Sequence, residues 1–370
     1  MSQKIFDDVP VEEALSDIIK EQGIKSMLVV ADEYCLNLPI ADDIRGIDAE
    51  SLWFSDFQPN PDIESVREGM RLFDSKGCDS ILAIGGGSAM DVAKAIKMFS
   101  SYDPDGDLPV PDPEPAQVPF IAIPTTAGTG SEATRYSVVY KEGAKQSLTA
   151  EWIIPEYVIM LPELLRTLPD YQKKCTCMDA LCHSVESFWS VNSSDESKVY
   201  SRKAMRMILD NIDAYLAGDQ DAAKTMLRAA NYAGRAINIT QTTAGHAMSY
   251  KVTKLFGTPH GHAAAICVEK IWPYMLDHMD YCVDGRGTDY LSHMFKELSA
   301  VFTGQEDASD DLAPEKFSEL LHVLGLAAPE GMTDEQLDIL VTSVNPVRLK
   351  NNPVGLDKEA IRELYLQIFR

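Results

Sequence analysis

The feature that most limits how this chain can fold is a glycine turn set between a buried strand and a helix. The apolar segment Ile81–Ile84 leads directly into Gly85-Gly86-Gly87-Ser88, and the helical pattern of Ala89–Ala95 starts at once. Glycine lets the backbone turn tightly and approach an oxyanion, and the next helix adds unpaired N–H groups and the positive end of its dipole. Met90 occupies the third glycine position of the common GxGxxG fingerprint, so a tight turn without a ligand stays an alternative.

The same pattern of strand and helix recurs through the first half of the chain. Helical spacing begins at Val11 and stops at Gly23, where a helix would end. The predicted strands cover about 26–30, 81–84 and 120–123, and the further predicted helices cover about 62–76 and 88–100. Strands that alternate with helices indicate a parallel sheet with helices on both faces.

Beyond Pro162 only helical periodicity is convincing, so the second half of the chain is predicted to be all helical. The predicted helices cover 171–191, 195–217, 220–240 and 355–369, and the acidic stretch 304–315 is predicted to be a solvated loop. A length of 370 residues is enough for two cores. We place the boundary within 161–169 and expect an α/β domain of residues 1–165 followed by an all-α helical domain of residues 166–370.

The charge of the chain limits its partners. It has 57 Asp+Glu against 33 Lys+Arg, a formal charge of −24. Because attraction to phosphates dominates binding to nucleic acids and anionic membranes, we expect neither partner, although a local basic pocket can still take a small anion. The seven cysteines lack paired CxxC spacing, the first eight residues have no apolar core, and no apolar run approaches the roughly 20 residues of a membrane span. We therefore expect a cytoplasmic protein with free thiols.

A second polar loop follows the strand at 120–123. Its hydroxyls, which can donate to a diphosphate, belong to Thr125, Thr126, Thr129 and Ser131. Open α/β sheets bind ligands at the carboxyl ends of their strands, so two such loops predict one crevice; a hydroxyl-capped turn without a ligand is the alternative. Asp32, at the end of the first strand, is a candidate partner for a ribose diol, but its spacing from the glycine loop does not by itself support that role.

Four residues of the helical half have the spacing of a metal site. Asp179 and His183 stand four residues apart, so on a helix they project from one face and can share an ion. His246 and His260, each beside a glycine, bring the set to one carboxylate and three imidazoles. Such a set suits Fe²⁺ or Zn²⁺ and leaves positions open for a substrate. Any one of these histidines alone is equally compatible with a packed or surface position.

These motifs together resemble the iron-containing alcohol dehydrogenase family. The matching residues, in the family's order, are Gly85-Gly86-Gly87-Ser88 with Asp91 and Lys94, the stretch Pro124–Glu132, the stretch Met178–His183, and His246 and His260 at a spacing of 14. The resemblance covers nearly the whole chain. It implies a dehydroquinate synthase-like architecture, a divalent metal, a nicotinamide cofactor, and interconversion of alcohols with aldehydes or ketones.

The resemblance also implies roles for single residues. The implied metal ligands are Asp179, His183, His246 and His260, and the implied cofactor contacts are Asp32, Gly86, Gly87, Ser88, Asp91, Thr125, Thr126, Ser131 and Lys145. Asp32 falls where an acidic residue commonly favours NAD(H) by repelling the 2′-phosphate of NADP(H), which stays the alternative cofactor. Fe²⁺ is the expected metal and Zn²⁺ the alternative.

Departures from the family pattern bear on the substrate. Tyr250 stands where many relatives have a second histidine near the reacting carbon, Leu161 replaces a frequent aspartate, and Arg235 stands where an apolar residue is usual. The run His246–Lys251, together with Gly261-His262-Ala263, resembles the branch that reduces phosphonoacetaldehyde to 2-hydroxyethylphosphonate. Arg235 and Lys251 are candidate partners of the phosphonate; the alternative is that both are surface cations on helices.

The predicted activity is therefore reduction of a small aldehyde, in which Tyr250, His262 or water gives the proton. The alternatives are a reductase of another small aldehyde, a polyol dehydrogenase, a carbon–oxygen lyase of the dehydroquinate synthase kind, which turns over without net change in NADH, and a catalytically silent metal- or nucleotide-binding protein. We expect the partners to be a small aldehyde or alcohol and further copies of the same chain.

Overall fold

The computed structural model describes residues 3–108, 113–142 and 144–369. The chain divides into two compact units. The first comprises the chain up to Thr126 together with Gly130–Thr167, and the second comprises Ala127–Thr129 together with the chain from Leu168 onward. The middle of the predicted hydroxyl-rich loop thus belongs to the second unit, while the residues on either side of it belong to the first.

The first unit contains a six-stranded parallel sheet and a separate hairpin. The strands are β1 Lys4–Asp7, β2 Ser26–Ala31, β3 Glu50–Phe54, β4 Ser80–Gly85, β5 Phe120–Pro124, β6 Tyr136–Lys141, β7 Ala144–Thr149 and β8 Tyr157–Met160. The sheet order is β1-β8-β5-β4-β2-β3 with parallel neighbours throughout, and β6 pairs with β7 antiparallel. The three predicted strands are β2, β4 and β5, which are adjacent, so the loops at their carboxyl ends lie side by side.

Among the described residues of the first unit, four α-helices accompany the sheet. They are α1 Val11–Gln22, α2 Pro39–Arg45, α3 Ile63–Ser75 and α4 Gly87–Phe99. In α1 the apolar residues Ala14, Leu15 and Ile18 are fully buried, and the helix ends at Gly23, whose φ of 69° is the left-handed conformation that glycine adopts most easily. The sequence therefore predicted three of the four helices, and the parallel α/β fold class is confirmed.

The unpredicted strands differ in how visible they are in the sequence. The edge strands β1 and β3 are partly exposed, and β7 is mostly polar and exposed, so these three have neither a continuous apolar run nor a clear alternation. Strand β8 is apolar and fully buried but has only four residues, and β6 alternates between half-buried and buried residues, so the sequence reasoning missed both.

The second unit is helical, as expected. Its helices are α5 Asp170–Trp189, α6 Asp195–Leu216, α7 Gln220–Thr240, α8 Ala244–Phe256, α9 His260–Asp277, α10 Thr288–Thr303, α11 Leu312–Leu324, α12 Asp334–Ser343, α13 Pro346–Leu349 and α14 Lys358–Phe369. The prediction of a loop over 304–315 is wrong at its end, because α11 begins at Leu312. Burial of Ala313 and Phe317 stabilises this first part of the helix despite the acidic sequence before it.

Helix α5 is the centre of the second unit. It packs against α6, α7 and α9, and most of its residues are buried. Polar side chains inside such a helix need partners, because an uncompensated buried polar group is costly. Asp179, His183 and Glu186 are buried on it and follow one face at i, i+4 and i+7. Among the described helices, none is both long enough and apolar enough to cross a bilayer.

Candidate functional site

Three of the four predicted metal ligands converge inside the second unit. Asp179 of α5, His246 of α8 and His260, the first residue of α9, each offer one donor atom, and these atoms lie within 4.8 Å of one another. The Asp179 Oδ1 and His246 Nε2 atoms are 3.5 Å apart, and within the described part of the chain neither has a hydrogen-bond partner although both are buried. Two buried ligand atoms without hydrogen-bond partners, close together and beside a second imidazole, fit a divalent metal.

His183 stands beside this group without joining it. Its ring stacks on the ring of His246, with centroids 4.4 Å apart and planes inclined by 14°. Its Nδ1 is buried and lacks a hydrogen-bond partner among the described residues. The carboxylate–imidazole pair at i, i+4 is therefore brought to one place, but the role of His183 as a fourth ligand stays a prediction.

Glu186 is a residue of the cluster that the sequence reasoning missed. Its Oε2 is hydrogen-bonded to the Nδ1 of His246. Its Oε1 accepts from the backbone N–H groups of Gly245 at 2.8 Å and Thr243 at 3.2 Å, and from the Thr243 hydroxyl at 2.6 Å. One carboxylate thus caps the N-terminus of α8 and orients the ring of His246, leaving its Nε2 for the cluster. The i, i+4, i+7 spacing from Asp179 was the available signal.

The charges of the cluster favour an ionised carboxylate. Burial alone would raise the pKa of Asp179, but the neighbouring histidines outweigh it and hold that pKa well below its usual range. Burial also works to lower the pKa of His246, but Glu186 and Asp179 together raise it. Because metal binding requires a neutral imidazole nitrogen, a metal ion would displace a proton from His246.

The close approach of α9 to α5 depends on Gly261. A Cβ at this position would lie 2.1 Å from the carbonyl oxygen of Cys175 and 2.7 Å from the Cβ of Asp179. Only glycine permits that contact, and it brings the neighbouring His260 next to the carboxylate. The glycine after this histidine is therefore explained by helix packing.

In the first unit, Asp32 lies against the glycine loop. Its Oδ2 accepts a hydrogen bond of 2.8 Å from the N–H of Gly86, the residue that precedes α4. A Cβ at Gly85 would lie 2.4 Å from the same oxygen, so this close approach also requires glycine. Asp32 is far from the glycine loop in sequence, but the parallel pairing of β2 with β4 places the two next to each other in space. Burial raises the pKa of Asp32, and the Gly86 N–H opposes that rise.

The hydroxyl-rich loop also meets the glycine loop at the sheet edge. The Thr125 N–H donates to the Gly85 carbonyl at 3.0 Å, and the Thr125 hydroxyl accepts from Tyr34 at 2.6 Å. A Cβ at Gly86 would be 3.4 Å from the Cγ2 of Thr126, so these two residues are in contact range. Gly87 and Ser88 are in the first turn of α4, where backbone N–H groups have no partner within the helix.

Other predicted cofactor contacts already have partners inside the protein. The Ser131 hydroxyl accepts a hydrogen bond of 3.0 Å from the buried ammonium of Lys94. Burial raises the pKa of Asp91, and the charge of Lys94 opposes the rise, as does that of Lys145 in strand β7. Ser131, Asp91, Lys94 and Lys145 are thus brought together. Their direct contact with a cofactor stays a prediction.

The two predicted proton donors have different surroundings. The ring of Tyr250 is nearly parallel to that of His260, at a centroid distance of 5.6 Å, so it adjoins the cluster. His262 instead has both ring nitrogens engaged: Nε2 lies 3.0 Å from the Ala327 carbonyl, and Nδ1 lies 2.9 Å from the Tyr171 hydroxyl. Burial lowers its pKa. A neutral ring held at both nitrogens favours a structural position, so Tyr250 is the better-placed candidate.

The two predicted substrate cations lie on different helices. Arg235 of α7 is half-buried, and its Nε donates to the Asn231 side chain at 2.9 Å. Its guanidinium also lies 6.0 Å from the ring of Tyr200 on α6. Lys251 of α8 is half-buried and immediately follows Tyr250. Their shared role toward an anion stays a prediction.

Comparison with known proteins identifies matches over both units. The model of the iron-containing alcohol dehydrogenases matches residues 3–162, and the model of the C-terminal region of the same family matches residues 174–369. Phosphonoacetaldehyde reductase of Streptomyces viridochromogenes is 32% identical over 302 residues, which cover 77% of this chain and 75% of that protein. Lactaldehyde reductase of Escherichia coli is 30% identical over 275 residues, which cover 71% and 72%.

A solved structure extends the likeness to the whole fold. The sulfoacetaldehyde reductase of Bifidobacterium kashiwanohense, solved in complex with NAD⁺, is 26% identical with a TM-score of 0.88, over 99% of this chain and 96% of that one. The predicted resemblance, the dehydroquinate synthase-like architecture and the assignment to an enzyme class are confirmed, and the lyase alternative is disfavoured. The chain belongs to the iron-containing alcohol dehydrogenase family.

Proposed function

We propose that this protein is a metal-dependent, NADH-linked reductase of a small aldehyde that carries a tetrahedral anion. The observation that carries the proposal is the convergence of Asp179, His246 and His260, in which the buried Oδ1 of Asp179 and Nε2 of His246 have no hydrogen-bond partner within the described residues. Buried polar atoms without a hydrogen-bond partner destabilise a fold, and a bound ion would compensate both of them.

The metal would be held by Asp179, His246 and His260, with His183 as the fourth predicted ligand. When bound, a divalent ion such as Fe²⁺ or Zn²⁺ supplies Lewis-acid polarisation of a carbonyl oxygen. The chain itself prepares the site: Glu186 fixes the ring of His246, and the histidines keep Asp179 ionised. Asp179, His183, Glu186 and His246 are buried, which strengthens their electrostatic effect.

The cofactor would lie along the carboxyl edge of β2, β4 and β5. The N-terminus of α4, with Gly86, Gly87 and Ser88, offers N–H groups to a diphosphate, as helix N-termini commonly do. Asp32 is positioned beside this loop, where its carboxylate would accept from a ribose diol and repel a 2′-phosphate. NADH is therefore the proposed cofactor, in agreement with the NAD⁺ complex of the sulfoacetaldehyde reductase.

The substrate class is supported by the names of two relatives. One is a phosphonoacetaldehyde reductase and the other a sulfoacetaldehyde reductase, so both act on a two-carbon aldehyde with a tetrahedral anionic head. Arg235 and Lys251 are the proposed partners of this head, since guanidinium and ammonium groups bind phosphonate through charge-assisted hydrogen bonds. Phosphonoacetaldehyde is the proposed substrate, because its reductase has the higher identity.

Tyr250 is the proposed donor of the proton that completes the alcohol. Its ring adjoins His260 of the metal cluster, and a phenolic O–H can give up a proton at Oη that solvent then replaces. His262 would keep the N-terminal turn of α9 in place through its bonds to Tyr171 and Ala327.

The test is an aldehyde panel with the Fe²⁺-loaded protein, followed by loss of NADH absorbance. We expect kcat/KM for phosphonoacetaldehyde to exceed that for acetaldehyde by about 100-fold or more, since one charge-assisted contact contributes on the order of 2–3 kcal/mol. Sulfoacetaldehyde should fall between them. Equal kcat/KM values for the charged and uncharged aldehydes would refute the proposal of an anionic substrate. Turnover without NADH consumption would refute the proposed reductase activity.

A further inference from the structure

Helix α4 contains two buried lysines, which is a rare arrangement in a protein interior. Lys94 is 0% exposed and Lys97 is 1% exposed. A buried ammonium must be compensated by hydrogen bonds or by opposite charge. The two lysines are compensated by different parts of the first unit, and only one of them reaches the proposed cofactor loops.

The ammonium of Lys94 binds the segment that follows the hydroxyl-rich loop. Its Nζ lies 2.6 Å from the Ser131 carbonyl, 3.0 Å from the Ser131 hydroxyl, 3.1 Å from the Thr134 hydroxyl and 2.8 Å from the Tyr136 carbonyl. Burial lowers the pKa of Lys94, and the charges of Asp91 and Glu132 oppose that lowering. Four acceptors for three N–H groups mean that the side chain is fully committed to this segment.

This contact connects the two proposed cofactor loops through one helix. Lys94 is two turns along α4 from Gly87, so the helix whose N-terminus forms one loop also holds the end of the other. At the beginning of the second loop, the Thr125 N–H donates to the Gly85 carbonyl. The second loop is therefore attached to the glycine loop at one end and to α4 at the other.

Lys97 provides a matched comparison. It is equally buried on the same helix, but its Nζ binds Glu156 Oε1 at 2.6 Å, and Glu156 Oε2 accepts from the Phe120 N–H at 2.8 Å. Phe120 is the first residue of β5, whereas the hydroxyl-rich loop follows the last residue of this strand. Lys97 thus stabilises the edge of the sheet that lies away from the cofactor loops.

We propose that Lys94 is a positioning residue for the cofactor: it holds the segment from Ser131 to Tyr136 so that the loop after β5 is formed before the nucleotide arrives. The proposal rests on the proposed binding of NADH at this edge. Pre-organisation of a loop lowers the cost of ordering it on binding, and so it appears in affinity rather than in the chemical step.

The test compares Lys94→Met with Lys97→Met in metal-loaded protein, with NADH binding measured by fluorescence titration. Both variants should have a lower Tm. We expect Lys94→Met to raise the Kd for NADH by about tenfold or more, and Lys97→Met to keep it within about twofold. In steady state the KM for NADH should rise in Lys94→Met by a similar factor, while kcat changes little.

Thr134→Val is a milder variant in case Lys94→Met does not fold, since it removes one acceptor at nearly constant volume. It should raise the Kd by about twofold to fivefold. Amide hydrogen exchange of residues 125–136 in the absence of nucleotide should quicken in Lys94→Met or Thr134→Val and stay unchanged in Lys97→Met. If Lys94→Met folds and its Kd for NADH is unchanged, the positioning role is overturned. If only Thr134→Val folds, an unchanged Kd in that variant overturns it. An equal loss of NADH affinity in Lys97→Met would also overturn it. Wild-type protein that binds neither NADH nor NADPH overturns the proposed function as well.

Discussion

The two units hold their proposed functional groups in different ways. In the helical unit the groups are side chains on three rigid helices, and a buried carboxylate, Glu186, fixes one of them. In the α/β unit they are backbone N–H groups and hydroxyls at strand ends. Asp32 and Lys94 fix these loops through hydrogen bonds to Gly86 and Ser131. A cluster of side chains depends on every member, whereas a loop offers several weaker contacts. Loss of one residue should therefore have a large effect in the first case and a graded effect in the second.

The largest effect is expected for His246→Ala. The variant removes the donor that stands between Asp179 and Glu186, so we expect loss of bound metal together with a fall in kcat/KM of about 10³-fold or more, since metal polarisation contributes several kcal/mol. Elemental analysis and NADH oxidation measure the two quantities. His293→Ala, on the exposed face of α10, is the control and should leave both unchanged. Retention of the metal in His246→Ala would show that the ion binds elsewhere.

Glu186→Gln should have an intermediate effect. The amide keeps the shape of the side chain but no longer offers a charged partner to the Nδ1 of His246, and outer partners of this kind typically change metal affinity by about 10–100-fold. Competition with a chelator measures the affinity. Glu269→Gln, a half-buried acid on α9 that binds Ser318, is the matched control. Equal affinities in Glu186→Gln and wild type would remove the orienting role and would weaken the contrast between the units.

The difference between the units also explains what the sequence could predict. The pair Asp179 and His183 was visible from its i, i+4 spacing, because a helix fixes which residues share a face. The same rule would have added Glu186, but a glutamate on a helix is normally solvated, and only burial gives it a partner. His246 and His260 lie next to α5 because of how the helices pack, and spacing along the sequence does not predict that packing.

In the α/β unit the sequence predicted β2, β4 and β5 with their loops, because each of these buried parallel strands is a continuous apolar run, but it missed the shorter buried strand β8. It did not predict that Asp32 meets Gly86, since that contact depends on the pairing of β2 with β4. It also left Lys94 without a role, because a lysine in a helical pattern is normally expected at the surface. The contacts that hold each loop are long-range in sequence and are recovered only from the structure.

A smaller, graded effect is expected for Asp32→Asn. The amide still accepts from the Gly86 N–H, but it no longer repels a 2′-phosphate, so the ratio of kcat/KM for NADPH to that for NADH should rise about tenfold. Steady-state kinetics with both cofactors measures the ratio. Glu33→Gln is the matched control, since it removes the same charge from the adjacent, exposed residue. An equal rise in the control would mean that general charge sets the preference, and no rise in Asp32→Asn would refute the assignment.

The smallest effect concerns stability, and its sign follows from the raised pKa of Asp32. Burial raises this pKa in the folded state, so the folded protein binds more protons than the unfolded chain between the unfolded value and the raised one. Ionised Asp32 therefore reduces stability as pH rises through its folded pKa. Asp32→Asn has no such group and should be the more stable protein near pH 7, by within about 3 °C in Tm.

This advantage should shrink as pH falls and vanish below about pH 4, where the carboxyl is protonated in both states. Urea unfolding of the two proteins at several pH values measures it. If the difference in the free energy of unfolding is the same at all pH values, the effect comes from the hydrogen bond with Gly86 and not from charge. A wild type that is the more stable at neutral pH would mean that the loop N–H groups compensate the buried carboxylate fully. The α/β unit would then resemble the proposed metal site, where partners outweigh burial and keep Asp179 ionised.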